Sequence, residues 1–374
     1  MRIGIDASRA NNQQKTGVEW YAFHVIEELK KLIPSTHEVV LYTKTPLTGT
    51  LAALPTHWSQ KVLSWPPQRL WTQCRLSIEM LCNPPDVLWI PAHVPPLIHP
   101  KKTIMTLHDV AAIKFPQSYN WFERWYTTWS ANYALTHIDT IITPSECTKQ
   151  ELLTINNNPQ ANITVIHNGY NNSMASRSNN DTSATTIRTK YVIITPYFLT
   201  ISRLEEKKNT VRIIHAFTQF RAQHKEETYQ LVLVGKPGHG YEKVMAAIDT
   251  SPYKKDIITP GWVEQADLPA ICSQAQAFVY PSLYEGFGIP ILEAFAAGIP
   301  VITSKHTSTE EIANGAALLV DPLETKEIAN AMEHIITDTA HTKELIKKGT
   351  NRVAQFSWQA CAKQTAAVLI GEEK

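Results

Sequence analysis

The feature that most constrains this chain is an alternation. Short apolar runs, each suited to a buried strand, are separated by stretches with helical spacing. "RIGID" near the start is followed by the amphipathic "GVEWYAFHVIEELKKL". "EVVLYT", "DVLWI", "TIMTLHD" and "DTIITPS" come next, with helical stretches such as "SECTKQELLTI" among them. Strands that alternate with helices pair in parallel through helical crossovers. From Asn171 to Thr189 the rhythm stops in an Asn-, Ser- and Thr-rich stretch with almost no core-forming residues. This reads as a linker or long surface loop. Beyond it the rhythm restarts with "YFLTISR", "YQLVLVG", "DIITPG", "AFVYPS", "PVITS" and "AALLVDP". The predicted fold is therefore α/β, with two doubly wound parallel-sheet domains. Ligands of such sheets bind beyond the carboxyl ends of the strands. Two such domains facing each other would place the site in the cleft between them.

Composition narrows the function. The 374 residues exceed one simple core. A formal net charge of +1 gives no general attraction to nucleic acid or acidic membranes. The five cysteines are scattered without a CxxC pair, which speaks against a disulfide framework or a cysteine zinc site and for a reducing cytosol. The start reads as a strand and turn rather than a signal peptide, and no apolar run approaches the roughly 18 residues of a membrane helix. The expected location is cytoplasmic, with a peripheral place at the inner face of the membrane as an alternative.

"YPSLYEGFGIPILEAFAAGIPVITS", Tyr280 to Ser304, carries Glu285 and Glu293. Glu285 falls just past the predicted strand "AFVYPS". Gly286 and Gly288 let the backbone approach a ligand. Pro290 suits the first helical position, which would put Glu293 in the first turn. A helix start offers N–H groups to phosphate, and a carboxylate there can accept from ribose hydroxyls. Phosphate at the amides of Phe287, Gly288 and Ile289 and ribose at Glu293 is one reading. A carboxylate that merely favours the helix dipole is the other. "ISRLEEKKN" adds Arg203 and Lys208 between a strand end and a helix, where two cations can neutralise a diphosphate. His108 ends the apolar strand "TIMTLHD", a place for either a structural or a catalytic histidine.

With these residues in view, the chain resembles the GT4 family of retaining glycosyltransferases of GT-B fold, and within it the mannosyltransferase-like bacterial members. "SRLEEKKN", "LVLVGKPGHGYEKV" and the stretch from "PGWVEQADL" to "GIPVITS" carry the resemblance, together with "TGVEWY", "TLHDVAAIKFP", "ITPSECTKQEL" and "ITVIHNG". It implies that Arg203 and Lys208 hold a donor diphosphate, that Glu285 contacts the transferred sugar, and that Glu293 contacts ribose. It implies amide contacts from Phe287, Gly288 and Ile289, a diphosphate contact near Gly17, and His108 and Asp109 near the sugar. It also implies that "FSWQACAKQTAAVL" returns to the first domain. The domains expected are 1–180, completed by 357–374, and 181–356. The donor would be GDP-mannose and the acceptor a glycan or a lipid-linked sugar. The alternatives are a UDP-sugar transferase, a nucleotide-sugar epimerase, and a silent nucleotide-binding module. No Asp-x-Asp pair occurs, which argues against the metal-dependent alternative fold, and neither metal nor other cofactor is expected.

Two departures from the family pattern stand out. Glu19-Trp20 replaces a common Gly-Arg, and Glu310 stands where a proline is usual. Separately, Trp121, Trp125 and Trp129 recur at helical spacing beside Phe122, Tyr126 and Tyr133. Such a stripe is expected in a core. An aromatic surface for acceptor sugars or a membrane is the sharper alternative.

Overall fold

We describe a computed structural model of the chain. It describes residues 1–67, 69–92, 94–170, 174, 181–194 and 196–371, with no side chains described for 181–185. The chain forms two units. The first comprises residues 1–169 and 356–374, the second residues 170–355.

The first unit is built on a parallel sheet of seven strands. These are β1 (Arg2–Asp6), β2 (Glu38–Thr43), β3 (Trp58–Val62), β4 (Val87–Ile90), β5 (Lys102–Thr106), β6 (Thr140–Thr143) and β7 (Asn162–Val165). Their spatial order is β3-β2-β1-β4-β5-β6-β7. The order reverses between β1 and β4, which opens a crevice at their carboxyl ends. The central strands are buried on both faces, as expected of a sheet flanked by helices. The helix Gly17–Leu32 places Val25, Ile26 and Leu29 on this sheet. The C-terminal helix Trp358–Ile370 packs into the same core through Cys361, Ala362 and Leu369. Gly169 permits this return, since a β-carbon there would lie 2.2 Å from the backbone nitrogen of Trp358.

The second unit has a parallel sheet of six strands. They are β8 (Tyr197–Ile201), β9 (Gln230–Val234), β10 (Ile257–Gly261), β11 (Ala277–Tyr280), β12 (Val301–Ser304) and β13 (Leu318–Val320). The order β10-β9-β8-β11-β12-β13 reverses between β8 and β11. Phe217 and Phe220 of the helix Thr210–Gln223, with Met332 of the helix Thr325–Thr337, close the core on one face.

Three expectations need correction. The polar stretch from Asn171 to Thr189 is not all linker. Its first part lies largely outside the described residues, but its second part lies in a helix, Asp181–Lys190. That helix is held from outside: Asp267 Oδ2 accepts from Lys190 Nζ and from the Tyr191 hydroxyl, each at 2.8 Å. Tertiary contacts thus override weak helix propensity. Second, the helix after β11 begins at Ile289, so Pro290 is its second residue and Glu293 its fifth, one step beyond the first turn. Third, the aromatic stripe is not core. In the helix Trp121–His137 the buried residues are Ser130, Ala131, Ala134 and Leu135. Trp121 is 80% exposed and Trp125 is 57% exposed. Small residues make up most of its buried face, and its large rings turn outward.

Candidate active site

The reversal between β8 and β11 gathers most of the residues singled out above. The loop after β8 carries Arg203 and ends in a 3-10 turn, Glu206–Lys208. Asn209 fixes the next step in a left-handed conformation, φ 61. Its buried side-chain amide donates to the carbonyls of Pro281, at 2.9 Å, and Pro322, at 2.5 Å. The Leu283 N–H donates to the Lys207 carbonyl at 2.9 Å. These bonds lace the cationic loop to the loop leaving β11. The glycine-rich loop after β9 is laced to it as well. Leu204 N–H donates to the Lys236 carbonyl and Gly238 N–H to the Leu204 carbonyl, each at 3.0 Å. Gly235 takes φ 147, and a β-carbon there would meet the Ser202 carbonyl oxygen at 1.7 Å.

Within this frame Lys208 and Glu285 meet. Lys208 Nζ donates to Glu285 Oε1 at 2.5 Å, with the two side chains only 15% and 13% exposed. A third residue joins them. The Tyr280 hydroxyl, at the last position of β11, donates to the same Glu285 oxygen at 2.7 Å and accepts from Lys208 Nζ at 3.2 Å. Burial opposes both charges, but each is held by the other. Glu285 and Tyr280 together keep the Lys208 pKa above its ordinary value. For Glu285, burial pushes upward and is outweighed by Lys208, with help from Lys207 and Tyr280, so its pKa falls below the usual range. Tyr280 was not singled out in the sequence. Its only signal is a polar-tipped aromatic at a strand's carboxyl end, indistinguishable there from a core tyrosine.

Glu293 behaves oppositely. It is half-buried on the helix Ile289–Ala297, and its carboxylate has no hydrogen-bond partner among the described residues. Burial alone pushes its pKa up to about 7. The same surroundings push the buried thiol of Cys272 up to about 12, first through burial and then through the nearby Glu293 charge. Gly288 caps this helix at φ 105, where a β-carbon would meet Thr309 at 2.9 Å. Phe287 is buried, and Ile289 is the first helical residue. Arg203 is exposed and forms no ion pair among the described residues. The turn at Glu310 is also defined: its carboxylate accepts from the His306 N–H, and Ser308 Oγ donates to the Glu285 carbonyl at 2.7 Å.

The remaining residues belong to the first unit. His108 is buried two residues beyond β5, and its Nε2 lies 3.0 Å from the Pro91 carbonyl. A carbonyl only accepts, so Nε2 carries the proton. Tyr21 packs its ring edgewise on the imidazole, centroids 4.5 Å apart. Asp109 Oδ1 accepts from the Ala111 N–H at 2.9 Å. Gly17 opens the helix Gly17–Leu32, with no atom within 4 Å of where a β-carbon would stand. The departure at Glu19 has a local use. Its carboxylate accepts from the Thr16 N–H and hydroxyl and pairs with Arg9 at 3.2 Å. Asp6, Arg9, Thr16, Glu19 and Ala92 line a crevice of about 180 Å³ at the β1/β4 reversal.

Residues 15–173 match the family described as Glycosyltransferase Family 4, and residues 185–352 match Glycosyl transferases group 1. The chain belongs to the family 4 glycosyltransferases. It is 28% identical to O-antigen chain mannosyltransferase B of Escherichia coli, over 71% of this chain and 69% of that protein. It is 24% identical to O-antigen chain mannosyltransferase RfbU of Salmonella typhimurium, over 75% and 72%. Against the serotype-specific mannosyltransferase WbdA of Escherichia coli, at 26% identity, it spans only 32% of the relative's length. Among solved structures, Anabaena HepE in complex with UDP-glucose covers 99% of both chains with a TM-score of 0.73 at 17% identity. WaaG, a glycosyltransferase involved in lipopolysaccharide biosynthesis, also gives 0.73, at 13% identity and covering 99% of this chain and 100% of its own. These two likenesses establish the GT-B fold.

The raised Glu293 carboxyl has a thermodynamic consequence. With a folded pKa of about 7 against an ordinary 4.5, the folded state holds more protons than the unfolded state between those values. Stability therefore falls as pH rises through this window. Replacing Glu293 with Gln should flatten that fall, measured as Tm of the nucleotide-free protein between pH 5 and 8. An unchanged slope in Glu293→Gln would show that the carboxyl is not held protonated.

Proposed function

We propose that this glycosyltransferase is a retaining hexosyltransferase that moves mannose from GDP-mannose to a glycan or lipid-linked acceptor. The Lys208–Glu285–Tyr280 cluster at the β8/β11 reversal carries the reading, with Arg203 and Glu293 on the segments that follow the same two strands. The similarity to curated bacterial mannosyltransferases supports mannose as the sugar.

The chemistry follows from charge. Breaking a sugar–diphosphate bond builds positive charge at the anomeric carbon and negative charge on the departing diphosphate. Lys208 is already compensated by Glu285, whereas Arg203 is not. An arriving diphosphate therefore meets Arg203 first and competes with Glu285 for the Lys208 ammonium. Glu285 then keeps the Tyr280 hydroxyl and turns its remaining acceptor capacity to hydroxyls of the sugar. Arg203, Lys208 and the helix amides near Gly288 stabilise the leaving group as preorganised dipoles and charges. These groups supply the neutralisation that a divalent ion provides elsewhere, so transfer in this reading requires no metal. Retention of configuration corresponds to attack from the face the diphosphate leaves, with the departing phosphate taking the acceptor's proton. Ribose on Glu293 would favour its ionised form.

Lys208→Ala and Glu285→Ala should each lower the transfer rate at least about a hundredfold. A folded variant with a near-normal rate would remove that residue from the mechanism. Calorimetry with GDP and UDP tests the donor: tighter GDP supports GDP-mannose, tighter UDP assigns the alternative UDP-sugar, and no binding of either overturns the reading.

We further read the exposed aromatic helix as a peripheral membrane contact. No helix among the described residues is long and apolar enough to cross a membrane. Trp121, Trp125 and Trp129 line an open groove of about 660 Å³ with Arg124. The Tyr133 hydroxyl ties this helix to the carbonyl of exposed Leu97 at 3.1 Å, and Ser77 ties Leu97 to the helix that exposes Ile78 and Leu81. Indole rings favour the lipid headgroup zone, and arginine favours anionic lipid. Sedimentation with vesicles containing anionic lipid should carry the protein down, and the double variant Trp121→Ala, Trp125→Ala should weaken this about tenfold or more. No binding of the wild-type protein to vesicles would refute the contact.

A further inference from the structure

Among the described residues, one group of histidine, cysteine and carboxylate side chains converges as metal ligands do: His334, Asp338 and His341. It lies in the second unit, where the helix Thr325–Thr337 passes through Asp338 into the helix Thr339–Val353. His334 Nε2 and His341 Nδ1 are 2.7 Å apart, with ring planes at 82°. Asp338 Oδ2 lies 3.8 Å from His334 Nε2. Asp338 Oδ1 accepts from the His341 N–H at 2.9 Å, so the helix start itself orients the carboxylate toward the rings. Neither of the two facing ring nitrogens has another hydrogen-bond partner among the described residues.

We propose that these three side chains bind a divalent transition-metal cation of the zinc class. Two imidazole nitrogens and one carboxylate oxygen form a donor set for zinc, nickel or copper, whereas magnesium and calcium take oxygen ligands. Ligands about 2.0–2.2 Å from a tetrahedral zinc stand about 3.3 Å apart, so the rings need to part by about half an ångström and the carboxylate to close on His334 by a similar amount, with all three ligand atoms already within 4.8 Å of one another. His334 and Asp338 are both partly exposed, so such a shift meets little packing resistance. Three protein ligands leave a position for water and make the ion exchangeable.

The site is separate from the transfer chemistry. The helix Thr325–Thr337 starts by the strands' carboxyl ends, where Glu327 accepts from Lys305 just after β12 and from the Asp321 N–H just after β13. Its last turns lie where Glu333 pairs with His224, at the far end of the helix that Asn209 opens beside Lys208. Its 13 residues span about 20 Å. His334 therefore lies toward the opposite end of the strands from Lys208 and Glu285. Bound there, a cation clips the end of one helix to the start of the next and stabilises the fold without contacting the donor.

The test uses the full chain, stripped with a chelator and titrated with zinc chloride by calorimetry and with cobalt by visible absorption. One equivalent should bind, with the absorption of tetrahedral cobalt and a rise in Tm, while GDP and UDP binding stay unchanged. His341→Ala and Asp338→Asn should each weaken the affinity at least about tenfold. Asparagine is as good an N-cap as aspartate, so a loss in Asp338→Asn reports the ligand rather than the helix. The inference is overturned if binding does not saturate at one equivalent, or if both variants retain it, which would place the ion on others of the 14 histidines.

Discussion

The structure of the candidate site depends on one buried ion pair. Lys208 and Glu285 come from loops that follow different strands and meet where little water reaches them. Each charge alone would be costly there. Together they are tolerable only because the geometry is close and Tyr280 shares the same carboxylate oxygen. Such a pair is weak grounds for stability, since an apolar pair of similar volume often does as well. In the proposed reaction the pair matters for what it can exchange: a diphosphate would take over the ammonium while Tyr280 keeps the carboxylate partnered.

The sheet explains why the pair forms here. In the order β10-β9-β8-β11-β12-β13, the chain leaves β8 and β11 in opposite directions. Their following loops diverge and leave a crevice between them. Asn209 spans it to the carbonyls of Pro281 and Pro322, and the Leu283–Lys207 hydrogen bond closes its floor. The first unit repeats the arrangement at β1 and β4. There the crevice is lined by Asp6, Arg9 and Glu19, and His108 stands at the end of the neighbouring β5. The same topology thus presents a cationic loop in one unit and a mixed polar crevice in the other.

Much of this was legible in the sequence, for a physical reason. Central parallel strands are buried on both faces, so they appear as continuous apolar runs that polar loops interrupt. β3 and β7 were harder, because edge strands such as "WSQKV" carry polar residues on their open side. Glu285 and Glu293 stood out because charges near glycine and proline just past a strand end are rarely core, and Lys208 because it falls with Arg203 between a strand end and a helix. Tyr280 did not, because its hydroxyl acquires meaning only from partners 72 and 5 residues away. The helix Trp121–His137 was misleading: aromatic spacing on a helix looks the same whether the rings face a sheet or solvent. The smaller residues Ser130, Ala131 and Ala134 decided the buried face. The helix Asp181–Lys190 was hidden because its support, Asp267, lies far along the chain.

The most direct measurement is a crystal structure of the chain with GDP or UDP bound. The account expects diphosphate oxygens within hydrogen-bond reach of Lys208 Nζ and Arg203, ribose hydroxyls on Glu293, and a Lys208–Glu285 separation wider than 2.5 Å with the Tyr280 contact kept. A nucleotide lodged elsewhere, or one bound with the ion pair intact and Arg203 and Glu293 untouched, would contradict it.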